Sequence, residues 1–429
     1  MFDNEIVAPG EKLKRIRKML NMTQKELAED ICSKNNISLI ENCKQRLSNN
    51  LAILFTKKFN RSIKEKRLNL SLITPQEFMQ DEHTQANNFL ENNIINELKK
   101  TQTIYLFEQK LHKAEELIEK YNITDNKKIK LYKLAADFYY YMQSYSKSDK
   151  MCDNGLELSV NSQNTSEEIN FNIYKSRNYI CMEYYVKSLQ KLDIAQKLND
   201  YLADDDFDTS ILYQRALTYK KIGEYDVAIK YLKKLKEKCI KNKTMLIKIK
   251  MVYANCIMDK SEFKDFEEAE KEYFEIFDIA QDDKDLLALG YRNLAELYFK
   301  NGKYKEAAQY IKDALIYSHD NQYLDEILYF ASKILVYENE DIETYLLQAL
   351  DICESKDREN LDLIKDIINE LMVIYIKREA EEKIITLTKK AEELKIDCNK
   401  IYAQLIKYYR YRNIEKSEYF NDILINKLS

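Results

Sequence analysis

Apolar residues recur at helical spacing along most of the chain, and the first seventy residues divide into short amphipathic segments. EKLKRIRKML at 11–20 places Leu13, Ile16 and Leu20 on one face, with Arg15, Arg17 and Lys18 mostly elsewhere. Thr23 then caps a second helix, TQKELAEDI, and Glu26 three residues on completes a capping box. Leu27, Ala28 and Ile31 face inward there, Ala28 being small enough for a close helix crossing. In ICSKNNISLIEN at 31–42, Ser33 is the next N-cap, with Cys32 and Ile37 placed as a hydrophobic staple. Rotation by about 100° per residue centres the buried stripe between Ile37 and Ile40. Asn35 and Asn42 then point away from it, flanked by Ser38 and Leu39, while Lys34 and Asn36 stand at the start of the helix. LAILFTKKF at 51–59 closes a small core with Leu51, Leu54, Phe55 and Phe59.

Three short helices with a tight connection between the second and third make a helix-turn-helix. In that motif the N-terminal part of the third helix reads base edges in the major groove. Asparagine suits the task, because its amide pairs bidentately with adenine for roughly 1–3 kcal/mol of discrimination. The base-reading candidates are Ser33, Lys34, Asn35, Asn36, Ser38 and Asn42. Thr23 and Gln24 at the second helix's start, with Lys44 and Arg46 after the third, are placed to hold phosphates, which fix register rather than sequence. Charge agrees: residues 1–70 carry 15 Lys/Arg against 8 Asp/Glu, while the remainder carries 53 against 64. A basic head on an acidic body fits a polyanionic partner for the head. A charged helix face without a ligand gives the same count, so the motif carries the argument.

That motif has a family likeness. MTQKELAEDICSKNNISLIENCK at 22–44 resembles the Xre-type helix-turn-helix, with its TQxELA start and ISxIENGK-like end. The short ICS connection resembles the variant in peptide-sensing Rgg/PlcR-type regulators. Cys43 stands where Gly ordinarily ends the recognition helix, and Leu47 where Pro is usual. Cysteine tolerates positive φ poorly, so the first departure argues against the left-handed cap of the family.

Beyond residue 90 the pattern repeats. GEYDVAIKYLKKL at 223–235 and GKYKEAAQYIKDA at 302–314 are near copies. Small residues recur at Ser148, Ser188, Ala228, Ala269 and Ala307, spaced by 40, 40, 41 and 38. Twelve residues before four of them lie Ala136, Ser176, Ala216 and Ala295, each followed after three residues by a tyrosine: Tyr139, Tyr179, Tyr219 and Tyr298. Paired helices crossing at small residues beside a large aromatic are the tetratricopeptide pattern, here with a period longer than the usual ~34 residues. Weaker copies precede it around Tyr105 and Ala114, and follow it around Tyr375 and Ala391 and around Tyr408 and Leu424. The expected fold is all-α: an N-terminal helix-turn-helix bundle followed by about eight helical hairpins in a right-handed tetratricopeptide-like helical solenoid. Projecting the register onto the first helix of each pair nominates Arg177, Gln214, Asn255, Arg292, Asn293 and Asn369 as a peptide-binding wall. Amides can clamp an extended backbone and arginine a carboxylate. Any one of them alone also fits a solvated surface.

Composition narrows the remaining classes. The 429 residues exceed one ordinary core, and 5 Gly with 2 Pro argue for helix nearly throughout. Eight scattered cysteines (Cys32, Cys43, Cys152, Cys181, Cys239, Cys256, Cys353 and Cys398) form no CxxC pair and read as free thiols in a reducing cytoplasm. No signal peptide opens the chain, and no stretch approaches the roughly 20 apolar residues of a membrane helix. His83, His112 and His319 lie far apart without a metal-ligand pattern, and no GxGxxG, P-loop or GxSxG is present. Neither a cofactor nor a metal is called for, and an enzyme has little support.

A DNA-reading head on a tetratricopeptide body resembles the RRNPP family (Rap, Rgg, NprR, PlcR and PrgX), over nearly the whole chain. The resemblance implies a helix-turn-helix domain over 1–70, a linker over 71–89 holding Pro75 and a polar run, and a peptide-sensing and dimerising repeat domain over 90–429. It implies a cytoplasmic homodimer that binds a pseudo-palindromic operator in double-stranded DNA and a short imported quorum-sensing peptide. The Lys/Asn/Ile/Tyr-heavy composition extends the resemblance to clostridial members, which implies control of sporulation or toxin genes. The alternative is a tetratricopeptide adaptor that binds a response regulator or phosphorelay protein, as the related Rap type does. An RNA- or scaffold-binding solenoid lacks any aromatic-basic stripe.

Overall fold

Thr23 and Ser33, read from the sequence as helix caps, cap their helices in the computed structural model. It describes residues 5–261, 265–281, 283–318, 323–355, 361–394, 396 and 398–428. No strand occurs among them, and no described helix is long and apolar enough to cross a membrane. The chain divides into two compact units, 1–135 with 157–163 and 136–156 with 164–429.

The first unit opens with α1 (Pro9–Met19), α2 (Gln24–Ala28), α3 (Lys34–Glu41) and α4 (Asn49–Glu65). Thr23 and Glu26 form the expected capping box, and Ser33 and Ser48 cap α3 and α4. Leu13, Ile16, Leu20, Leu27, Ile37, Ile40, Phe55 and Phe59 are all buried in one core. Leu54, expected inside, is exposed: α4 buries Ala52, Phe55, Phe59 and Ile63, a stripe that leaves Leu54 on its outer edge.

Residues 71–88, read above as part of a linker, are largely helical. They fold into α5 (Pro75–Met79) and most of α6 (Glu82–Phe89), with Pro75 starting a helix rather than interrupting one. Ile73 and Phe78 join the head's core, where the Phe78 ring meets Phe59 edge-on at 6.1 Å. The Asn60 amide also pairs with both backbone groups of Ile73, each at 2.8 Å. Two apolar residues in a polar run were enough to dock it. Helix α6 continues through a π-helical turn at Leu90–Ile95 into α7 (Asn96–Leu98), which packs against α8 (Ile104–Lys120). Tyr105 and Ala114, read as a weak repeat, therefore share one helix, with Ala114 buried and Tyr105 exposed.

Hairpins follow: α9 (Asp125–Tyr141) with α10 (Tyr145–Asn161), α11 (Thr165–Cys181) with α12 (Tyr185–Leu202), α13 (Asp205–Ile222) with α14 (Tyr225–Lys238), and α15 (Lys243–Ser261) with α16 (Phe266–Ala280). Next come α17 (Lys284–Lys300) with α18 (Tyr304–Tyr317), α19 (Leu324–Leu335) with α20 (Glu343–Ser355), α21 (Leu361–Lys377) with α22 (Glu381–Glu393), and α23 (Asn399–Tyr409) with α24 (Ile414–Leu428). Ser148, Ser188, Ala228, Ala269 and Ala307 are fully buried at the crossings. The tyrosine register also sets the turns. The carbonyls of Tyr139, Tyr179, Tyr219, Tyr298 and Tyr375 each accept the N–H five residues on, closing a Schellman turn. The residue four after each tyrosine is left-handed: Gln143, Glu183, Gly223, Gly302 and Glu379.

Candidate DNA-reading helix and first-helix wall

The third helix is seated from below and capped at both ends. Ile37 and Ile40 are fully buried, and the Ser33 hydroxyl accepts the Asn36 N–H at 3.2 Å. Lys34, Asn35, Asn42, Lys44 and Arg46 are exposed, and Asn36 and Ser38 are half-buried. Asn42 is partly committed, since its amide donates to the Ser38 carbonyl at 2.8 Å and closes the last turn. The left-handed cap is present despite the missing glycine: Cys43 has φ +54°, and the N–H groups of Cys43 and Lys44 reach the Ile40 and Leu39 carbonyls, both at 2.9 Å. A Cβ on Gly10 would meet the Ile40 carbonyl oxygen at 2.0 Å, so the start of α1 packs directly on the end of α3.

Sequence reasoning missed the group that orients this helix. Glu41 is buried and accepts from Arg17 Nε at 2.5 Å, Arg17 Nη2 at 3.0 Å and Gln24 Nε2 at 2.8 Å. Burial pushes its carboxyl up, but the Arg17 and Gln24 hydrogen bonds outweigh that and hold it below its ordinary value. One carboxylate thus ties α3 to α1 and α2. Gln24, nominated for phosphate, uses its amide nitrogen inside this cluster. Thr23 is exposed, but its hydroxyl and backbone N–H both donate to Glu26. The signal available in the sequence was an acidic residue beside Ile40, on the buried edge of a helix otherwise poor in charge.

All six wall candidates fall on first helices, α11, α13, α15, α17 and α21, and they differ in how far the protein satisfies them. The Arg177 guanidinium lies over the rings of Tyr140 and Tyr174, at 4.2 and 3.9 Å, and its Nη2 meets Asp137 at 2.5 Å. Its Nε is buried without a partner, as are Gln214 Oε1 and Asn369 Oδ1. Asn255 Oδ1 instead accepts from the Tyr273 hydroxyl at 2.6 Å. Arg292 donates to Asn293 at 3.0 Å and to Glu296 at 2.8 Å, so these two complete a local network. Asn172 Oδ1 on α11 and Gln404 Oε1 on α23 are likewise buried and unpartnered, and neither was nominated. Asn172 lies four residues before Ser176, on the buried side of its helix, which was legible in the register. Lys220 on α13 lies near Cys256, Asp259 and Glu296, and burial lowers its pKa. Among the described residues no His, Cys, Asp or Glu cluster is arranged to hold a metal, and His319 lies outside them.

Comparison with known proteins divides along the same line. Residues 13–66 match the helix-turn-helix family HTH_3. No curated protein sequence matches the chain. Among solved structures, a Rap protein complexed with Competence and Sporulation Factor is similar over 97% of this chain and 96% of its own, with 13% identity and a TM-score of 0.50. The apo quorum sensor NprR from B. thuringiensis is 19% identical, with a TM-score of 0.47, over 79% of this chain and 98% of its own. Bacillus thuringiensis PlcR, in complex with the peptide PapR7 and DNA, is 15% identical, with a TM-score of 0.38, over 83% of this chain and 98% of its own. The head is thus a helix-turn-helix domain, and the body has the helical-repeat fold of Rap.

Proposed function

We propose that the protein is a sequence-specific transcriptional regulator of the RRNPP type, whose DNA binding responds to a short peptide held on the first-helix wall. The observation that carries the DNA half is the exposure of Lys34 and Asn35, with Asn36 half-buried beside them, at the start of a helix locked by Ile37, Ile40 and Glu41. Asn35, Asn36 and Ser38 read bases; Lys44 and Arg46 hold phosphates. The unpartnered Arg177 Nε, Gln214 Oε1 and Asn369 Oδ1 supply what an extended peptide backbone and a carboxylate need, a donor and two acceptors. The protein acts as a cytoplasmic homodimer on half-sites about 34–36 Å apart or a multiple of that. Peptide favours one conformation of the body and so changes the population of DNA-competent dimers.

Genome-wide mapping of bound DNA, with and without candidate peptides, identifies operator and ligand together. On that operator, Asn35→Ala/Asn36→Ala protein should lose sequence preference while keeping peptide binding. Binding that is independent of sequence in the wild type, or absent, overturns this reading in favour of an adaptor for a response regulator.

A further inference from the structure

Two successive connections between hairpins of the body carry opposite charges side by side. Helix α12 ends on Tyr201 and Leu202, 88% and 43% exposed, and α13 opens with the acidic residues Asp205, Asp206 and Asp208 behind its cap Asp204. In the next connection α14 ends at Lys238, Ile240 is 67% exposed, and Lys241 and Lys243 follow on the surface. Lys238 joins the two, its Nζ lying 2.7 Å from both Asp205 and Asp208. Asp206 and Thr209 of α13 also stand beside the Cys239 thiol that ends α14. The connections thus form one continuous surface with an acidic half and a basic half, each bearing an exposed apolar side chain.

Part of this charge is accounted for within the chain. Acids at the start of α13 and lysines at the end of α14 complement the helix dipoles, and Asp204 accepts the N–H groups of Asp206 and Phe207 at 2.8 and 3.0 Å. Lys241 and Lys243 have no such reason. They stand at the start of α15, whose first turn holds no acid, where the helix dipole disfavours a cation. Among the described residues neither forms an ion pair, and neither does Asp206. The basic half is also out of keeping with its surroundings. Residues 227–250 hold nine lysines against one acid, whereas over residues 71–429 acids outnumber bases by 64 to 53.

A surface whose halves are opposite in charge is complementary to itself. Two copies related by a two-fold axis can set the acidic half of each against the basic half of the other, so that every contact occurs twice. We propose that this surface is the contact between two copies of the chain, with Tyr201 of each packed on Ile240 of the other and Asp205 and Asp206 facing Lys241 and Lys243. The inference rests on the homodimer of the preceding reading and names its surface. Nucleic acid fits less well: its phosphates would meet the Asp204–Asp208 run, and residues 227–250 offer lysine alone, without an arginine for bidentate grip. An acidic partner protein would cover the lysines and leave the acidic half, with Tyr201, in water. A second copy covers both.

The test is sedimentation equilibrium of the full-length protein and of two charge reversals, Asp205→Lys/Asp206→Lys and Lys241→Glu/Lys243→Glu, each checked for unchanged circular dichroism. Wild type should dimerise, and more weakly as salt is raised. Either reversal alone sets like charges together in both contacts and should weaken self-association by about 100-fold. An equimolar mixture of the two should recover wild-type affinity, because both contacts of the mixed dimer again pair opposite charges. Tyr201→Ser/Ile240→Ser, which leaves every charge in place, should weaken the dimer by about tenfold. A wild type that stays monomeric overturns this surface together with the homodimer. A dimer indifferent to both reversals, or not restored by mixing them, overturns the surface alone and leaves the homodimer standing.

Discussion

Cys43 holds a left-handed conformation that glycine would adopt without steric penalty. Cys43→Gly should therefore stabilise the head by up to about 1 kcal/mol, read by chemical denaturation. A loss of stability would mean that the thiol's packing beside Gly10 outweighs the backbone strain. Glu41 poses the opposite case. Its folded pKa lies below the ordinary carboxyl value, so its contribution is complete above that ordinary value and is lost as pH falls through the lower one. Breaking this buried pair by Glu41→Ala leaves Arg17 uncompensated and should cost about 3 kcal/mol. Operator affinity should fall with it, because α3 loses its tie to α1 and α2. Denaturation from pH 7 to 3 checks the sign: wild type and variant should converge as the carboxyl protonates. Both caps of this region, Thr23 and Ser33, were legible because a cap needs only one side chain at one spacing. The tie between Gln24 and Glu41 was not legible, because the two lie 17 residues apart, across a turn.

Among helices, the same turn recurs with different residues at its left-handed position. Gly223 has φ +91° and Glu183 φ +62°, each four residues after a repeat tyrosine. Glu183→Gly should stabilise the body and Gly223→Ala destabilise it, each by about 0.5–1 kcal/mol, with opposite shifts in denaturation midpoint. Equal shifts of one sign would show that side-chain contacts, not backbone strain, govern these turns. The hairpins themselves were readable because Ala/Ser–Tyr pairs repeat. The shared left-handed turn was not, since three of its five residues are Gln or Glu, which advertise nothing about φ. The docking of α5 was hidden because Ile73 precedes the helix and Phe78 is the buried residue within it, so no helical period repeats there.

For the whole molecule, the informative positions are those where the protein fails to satisfy itself. A repeat array gains stability from each neighbour contact, so a buried amide oxygen without a partner is a local cost of roughly 1–3 kcal/mol. Gln214 on α13 and Asn369 on α21 each carry one. If these oxygens exist for a peptide's N–H groups, apolar replacements of similar size should help the peptide-free protein and harm the complex. Gln214→Met and Asn369→Leu are each expected to raise the unfolding midpoint without peptide and to abolish the further rise that peptide produces. Their helices belong to separate hairpins, so the two stability gains should add to within about 0.5 kcal/mol. The same experiment separates ligand-binding amides from structural ones: Asn255→Leu, which strips the Tyr273 hydroxyl of its acceptor, should destabilise instead. Loss of stability in both Gln214→Met and Asn369→Leu would show that the wall's amides hold the array together, and the peptide would have to be sought on another surface.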